Sequence, residues 1–129
     1  MADDIYHWNI NGLKCKHSPN YLGKINQIGS ILEKGSTSIL NIQETHTSNE
    51  SELPKFLKTY SHLYTFEKTF SCSGDVFSGI LVCIRKTDIV ILSEVLENGR
   101  LMYIKIMKEA SNTCRHIFSL YCNPSDHIK

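Results

Sequence analysis

An α/β fold is predicted, a β-α-β unit followed by antiparallel strands, and three features of the sequence predict it. Leu22, Ile25, Ile28 and Leu32 repeat at helical spacing between two short apolar runs, so one amphipathic helix joins two strands. From residue 63 the chain turns to short segments rich in β-branched and aromatic residues, which is strand composition. Asn98-Gly99 falls between two of those segments, and Asn-Gly readily adopts the positive φ values of a tight hairpin turn.

Taken in order, residues 5–10 read as a strand and Asn11-Gly12 as a turn into a polar loop that runs through His17. Ser18 and Pro19 suit the N-cap and first position of a helix, and Gly35 suits its C-terminal cap. Residues 38–43 form a second strand, parallel to the first because a helix crosses between them. A polar loop over 45–51 leads to a short helix marked by Leu53, Phe56, Leu57 and Tyr60. Strands follow at 63–70, 79–85, 89–96, 101–107 and 116–122, with Asn112 turning the last pair. Pro124 stops the final strand, and Ser125-Asp126 opens as a helix N-cap does, shortly before Lys129. An element announced and not completed reads as a truncated domain, with residues 1–129 forming one unit.

Composition narrows the classes. A chain of 129 residues with 41% hydrophobic and 21% charged side chains is an ordinary globular domain. Fourteen basic against thirteen acidic residues give a net charge of +1. Contact with nucleic acid would then rest on local shape and a metal rather than on bulk charge. Five cysteines, an odd number without a Cys-x-x-Cys pair, argue against a disulfide framework and a structural zinc site. Cys83 and Cys122 stand in apolar runs and read as buried, reduced thiols. Met1-Ala2-Asp3-Asp4 lacks the basic start of a signal peptide, and no apolar run reaches the ~20 residues that span a bilayer. An intracellular protein without a membrane partner is expected.

The chemistry gathers at strand ends. Trp8-Asn9-Ile10-Asn11-Gly12-Leu13 closes the first strand, Asn41-Ile42-Gln43-Glu44-Thr45-His46 the second, and Tyr121-Cys122-Asn123-Pro124 the last. Parallel neighbours ending in Asn and Glu project both side chains from one sheet edge, where α/β folds place their sites. A carboxylate beside amide oxygens is a hard-oxygen donor set suited to Mg²⁺, which keeps several waters and takes further ligands from phosphate. Such an ion neutralises charge developing on a phosphodiester under attack. Each residue also has a plainer role. Asn9 and Asn11 build a turn unaided, Glu44 follows a strand as any exposed charge does, and Tyr121 packs as strand tyrosines do. His46 and His62 read as loop or surface histidines, and Lys14 and Lys16 as solvated loop lysines or phosphate contacts.

In order and context these segments resemble the first motifs of the endonuclease/exonuclease/phosphatase superfamily, most of all the endonuclease of non-LTR retrotransposons, a relative of the apurinic/apyrimidinic endonucleases. Ser78-Gly79-Ile80-Leu81-Val82 is similar to that family's "G-G-V-A-I" strand, and Gly99-Arg100-Leu101-Met102 to its "G-R" hairpin return, so the resemblance runs over 6–124. It implies a partial α/β sandwich, the N-terminal portion of one such domain. It makes Asn9, Glu44 and Tyr121 the catalytic set, with Glu44 the direct metal ligand and Tyr121 the hydroxyl on the scissile phosphate. Asn9 becomes a metal-shell or phosphate-orienting residue and Asn11 a second, weaker ligand. The implied cofactor is weakly held Mg²⁺, replaceable by Mn²⁺, and the implied partner of the complete domain is DNA.

The departures matter equally. The family's Asp-x-Asn pair occurs nowhere in this sequence. Ser125-Asp126-His127 follows Pro124 directly, whereas the family's Ser-Asp-His lies far downstream, and Gly74-Asp75-Val76-Phe77 lacks the asparagine of its "G-D-F-N" motif. The resemblance therefore implies a fragment or truncated copy of a Mg²⁺-dependent DNA endonuclease, inactive alone. Two rivals stand beside it: a repurposed non-catalytic binding or assembly module, and another phosphodiesterase or phosphatase branch of the superfamily. Apolar strand residues between 63 and 122 are also expected to lack a second sheet, so that a homodimer, an exchanged strand or a partner chain covers the open sheet.

Overall fold

Helical spacing and apolar runs produce the β-α-β unit in the computed structural model, which describes residues 4–13 and 20–122. Strand β1 (Asp4–Asn9), helix α1 (Tyr21–Lys34) and strand β2 (Thr37–Gln43) follow one another. β1 and β2 are parallel, with Asn9 opposite Gln43 at their carboxyl ends. Gly35, at φ 66°, ends the helix in the left-handed conformation that suits glycine. Asn20 precedes the first helical residue, and the expected start at Ser18-Pro19 lies outside the described residues. Ile28 and Leu32 are buried and Ile25 and Ile31 pack beside them, while Leu22 is exposed. The helix expected near Leu53 forms as two short 3-10 segments, Glu50–Glu52 and Lys55–Tyr60, separated by Pro54.

The later strands divide between two sheets instead of forming one meander. β3 (Tyr64–Thr69) and β4 (Ile80–Arg85) complete a first sheet of order β1-β2-β4-β3, in which β4 runs antiparallel to both β2 and β3. β5 (Asp88–Glu97), β6 (Leu101–Lys108) and β7 (Cys114–Leu120) form a second, antiparallel sheet. The reason is visible in Ile80-Leu81-Val82-Cys83-Ile84, whose members are all buried. Such a strand must be covered on both faces. Leu81 and Cys83 join Leu40, Ile42, Ile28 and Leu32 in a core under the helix. Ile80, Val82 and Ile84 join Ile39 against Met102, Ile104, Ile106 and Ile117 of the second sheet.

The chain thus supplies a second sheet itself, which corrects the expectation that this sheet would be largely missing. Asn41, 1% exposed, ties the two layers. Its Oδ1 accepts from the Ser119 hydroxyl at 2.6 Å, and its amide meets His7 Nδ1 at 3.1 Å. Two openings remain. Leu92, Phe118 and Leu120 are exposed on the outer face of the second sheet, where Tyr103 stacks on His116 and touches Phe118. Strands β1 and β3 of the first sheet and β5 and β7 of the second each pair on one side alone among the described residues.

Cys83 is buried, and burial pushes its thiol up. Cys122 is exposed, contrary to its apolar context. It follows the buried Tyr121, past the end of β7. No helix among the described residues is long and apolar enough to cross a membrane.

Candidate functional site

Hydrogen bonding continues past the formal ends of β1 and β2, and this holds the candidate residues in place. Ile10 N–H donates to Gln43 O, Gly12 N–H to Glu44 O and Leu13 N–H to Thr45 O, at 2.8–3.0 Å. On the other side Thr45 N–H donates to Gly79 O and His46 N–H to Ser78 O. The segment after β2 is therefore clamped between both neighbours like a strand, although it reads as a loop.

The clamp requires unusual backbone. Asn11 (φ 52°), Glu44 (φ 57°) and His46 (φ 58°) are all left-handed without being glycine. Residues held in this region cluster at functional sites because the surroundings must enforce them. Two glycines make the enforcement possible. A Cβ on Gly12 would lie 3.0 Å from His46 Nδ1, and one on Gly79 would lie 2.2 Å from Thr45 Oγ1. Lys24 reaches from α1 to the Asn11 and Gly12 carbonyls, each at 3.0 Å, and pins the turn.

The side chains converge on Glu44. The Asn9 amide donates to Glu44 Oε2. His46 Nε2 lies 3.6 Å from Glu44 Oε1, and the two side chains are 16% and 18% exposed. That nitrogen is buried without a hydrogen-bond partner among the described residues, and Phe77 packs edge-on against the imidazole ring at 5.3 Å. The carboxylate is thus bracketed by an amide and an imidazole, each facing one oxygen.

Of the residues singled out from the sequence, the structure joins Asn9 to Glu44. Asn11 stands exposed in the adjoining turn, and among the described residues its side chain forms no hydrogen bond to Glu44. Tyr121, 6% exposed, enters at the same strand ends from the second sheet. Its N–H donates to Arg100 O at 2.7 Å, and Gln43 Nε2 donates to the preceding Leu120 carbonyl at 2.6 Å. His46 lies in a loop, as expected, but it is partly buried beside Glu44 rather than on the surface, a proximity that sequence reasoning missed. The available signal was its place two residues after Glu44, inside the Gln43-Glu44-Thr45-His46 run that follows β2. Asp75, in the Gly-Asp-Val-Phe segment, faces Arg100 at 3.4 Å, an ion pair that anchors the hairpin return. Lys14, Lys16 and Ser125-Asp126-His127 lie outside the described residues.

Whether Mg²⁺ suits this site turns on its donors. The Glu44 carboxylate is a hard-oxygen ligand of the right kind, and the Asn9 amide oxygen joins it once the amide, whose NH₂ faces Glu44 here, turns over. They are few: among the described residues no three His, Cys, Asp or Glu side chains gather as a metal cluster. The donor set fits an ion that takes most of its coordination from water and phosphate, held loosely by the protein.

No family model and no curated protein matches the sequence. Solved structures do match the backbone. An AP endonuclease, LMAP, from Leishmania major superposes with a TM-score of 0.64 at 16% identity, over 94% of this chain and 40% of that one. TDP2 from C. elegans gives 0.62 at 14%, over 96% and 37%. The Xenopus laevis APE2 catalytic domain gives 0.58 at 17%, over 94% and 46%. The fold is the endonuclease/exonuclease/phosphatase fold. This chain spans less than half the length of each of the three chains it matches. Within that fold it presents a mixed sheet and an antiparallel sheet packed face to face, with Asn9 and Glu44 at the carboxyl ends of the parallel pair.

Proposed function

We propose that this chain is part of a Mg²⁺-dependent phosphodiesterase domain that cleaves DNA strands, of the retrotransposon endonuclease type, and that it is inactive alone. The observation that carries the reading is the pairing of Asn9 with Glu44 at the ends of two parallel strands, in a fold shared with an AP endonuclease. In this reading Glu44 and Asn9 hold the cation, Asn11 adds a weaker contact, and Tyr121 meets the phosphate. A bound Mg²⁺, or Mn²⁺ in its place, supplies Lewis-acid neutralisation of charge building on the phosphodiester. His46 faces Glu44 Oε1 and keeps the carboxylate turned toward Asn9. Clamped backbone at Thr45 and His46 fixes the distance between these groups before substrate arrives.

Inactivity follows from what the sequence lacks. Without the Asp-x-Asn pair no side chain of that kind positions water, and one loosely held cation supplies little of the ~8–23 kcal/mol by which enzymes typically lower a barrier. The exposed face of the second sheet and the single-sided pairing of β1 and β7 favour a further polypeptide, a second copy or a partner, covering this chain in its working assembly.

Two measurements test the reading. Mn²⁺ should broaden the amide resonances of residues 9–12 and 44–46 with a Kd weaker than about 1 mM, and Glu44→Gln should remove the effect. Supercoiled plasmid should stay intact with this chain and Mg²⁺. Micromolar Mn²⁺ binding that survives Glu44→Gln would overturn the metal assignment, and chelator-sensitive nicking would overturn inactivity. No site-directed broadening at any concentration would favour the rival, a non-catalytic binding module.

A further inference from the structure

Away from Glu44 the molecule holds a cavity of 420 Å³ between the two 3-10 segments and strands β3 and β4. It shares no residue with the site described above. Leu53, Pro54, Leu57, Phe66 and Leu81 form its apolar part, with Leu53, Leu57 and Leu81 buried. Its polar lining consists of Lys55, Lys58 and Lys68 with Glu50, Ser51 and Ser61, a net positive set. Lys68 is already committed, its ammonium 3.1 Å from Glu50 Oε2. Lys55 and Lys58 carry no ion pair among the described residues.

We infer that this cavity binds a small amphipathic anion, an apolar body bearing one carboxylate or similar head. Three observations combine to select that class. The volume lies in the range of small-molecule sites, about 300–1,000 Å³. An apolar floor rewards a hydrocarbon or aromatic body by removing it from water. Two lysines without an ion pair among the described residues line the same cavity and favour one negative head, because a charge-assisted hydrogen bond is stronger than a neutral one. A neutral apolar molecule would leave those lysines unused. A nucleic-acid backbone would meet the lysines without filling the floor.

The probes are decanoate, below its micelle concentration, and decanol as its uncharged counterpart, followed by amide and methyl NMR on the whole chain. Decanoate should saturate, should perturb Leu53, Leu57, Phe66 and Leu81, and should bind about tenfold more tightly than decanol. The variant Lys55→Glu/Lys58→Glu should weaken decanoate about tenfold and leave decanol unchanged. Both residues lie on the surface segment Lys55–Tyr60, and an unchanged far-UV spectrum verifies that the variant folds. Equal affinities for acid and alcohol would overturn the inference. So would perturbations on Phe118 and Leu120 in place of the cavity, absence of binding, or a short DNA duplex displacing decanoate from the same residues.

Discussion

Replacing Glu44 should reverse the usual ranking of alanine and glycine. Glu44 has φ 57°, a conformation that costs a residue with a Cβ about 1–2 kcal/mol. Glu44→Ala keeps that Cβ and its strain, whereas Glu44→Gly removes both. Against this, glycine enlarges the entropy of the unfolded chain by about 0.4–1 kcal/mol. Both variants lose the Asn9 hydrogen bond and the approach of His46, so those losses cancel in the comparison. The remainder leaves Glu44→Gly more stable than Glu44→Ala by about 0.5–1 kcal/mol, a difference of about 2–5 °C in Tm for a domain of this size. Urea unfolding of the two variants at one temperature measures it directly. An alanine variant as stable as the glycine variant, or more so, would show that the backbone here is unstrained and that the clamp is not enforcing it.

Three more outcomes follow from the same structure. Gly79→Ala places a Cβ 2.2 Å from Thr45 Oγ1 at φ 117°; it should lose about 3 kcal/mol or more in urea unfolding, and a loss below about 1 kcal/mol would contradict the close approach. Asn41→Ala strips partners from Ser119 and His7 and should destabilise by about 2–3 kcal/mol; near-neutrality would mean the two layers do not depend on the amide. Of the thiols described, Cys72, Cys114 and Cys122 should react with a water-soluble alkylating reagent in the folded protein while Cys83 waits for unfolding. Because burial raises the Cys83 thiol above its unfolded value, its contribution is complete at neutral pH and falls away as pH rises past about 8.5. Loss of that alkaline decline in Cys83→Val checks the sign.

Local pattern made the first third of the fold legible. The spacing of Ile25, Ile28 and Leu32 placed α1, and the apolar run ending in Gln43 placed Glu44 just past a strand. Partition of the later strands was not legible, because pairing partners far apart in sequence leave no mark on short-range periodicity. Ile80 to Ile84 did carry a clue, five apolar residues without alternation, which only a strand covered on both faces sustains. Strand β5 shows the opposite case. Ile89, Ile91, Leu92, Val95 and Leu96 are apolar and exposed, since hydrophobicity shows what a strand can bury and not whether anything covers it. At the site, Asn9 and Glu44 were visible from their positions after apolar runs. His46 was hidden because its burial comes from Gly12 and Phe77, remote in sequence.

Strand β1 is both the carrier of Asn9 and an outer strand of its sheet among the described residues. Whatever adds a strand along its free side orders the same extended backbone that aims the Asn9 amide at Glu44. A cation at Glu44 and a strand docked on β1 would then each favour one conformation of one segment. Linkage makes such an effect reciprocal: if docking tightens cation binding by some factor, the cation must tighten docking by that factor. With a cation at Glu44, the affinity of this chain for a covering polypeptide would become a function of divalent-ion concentration, and the site would report on the state of the sheet edge.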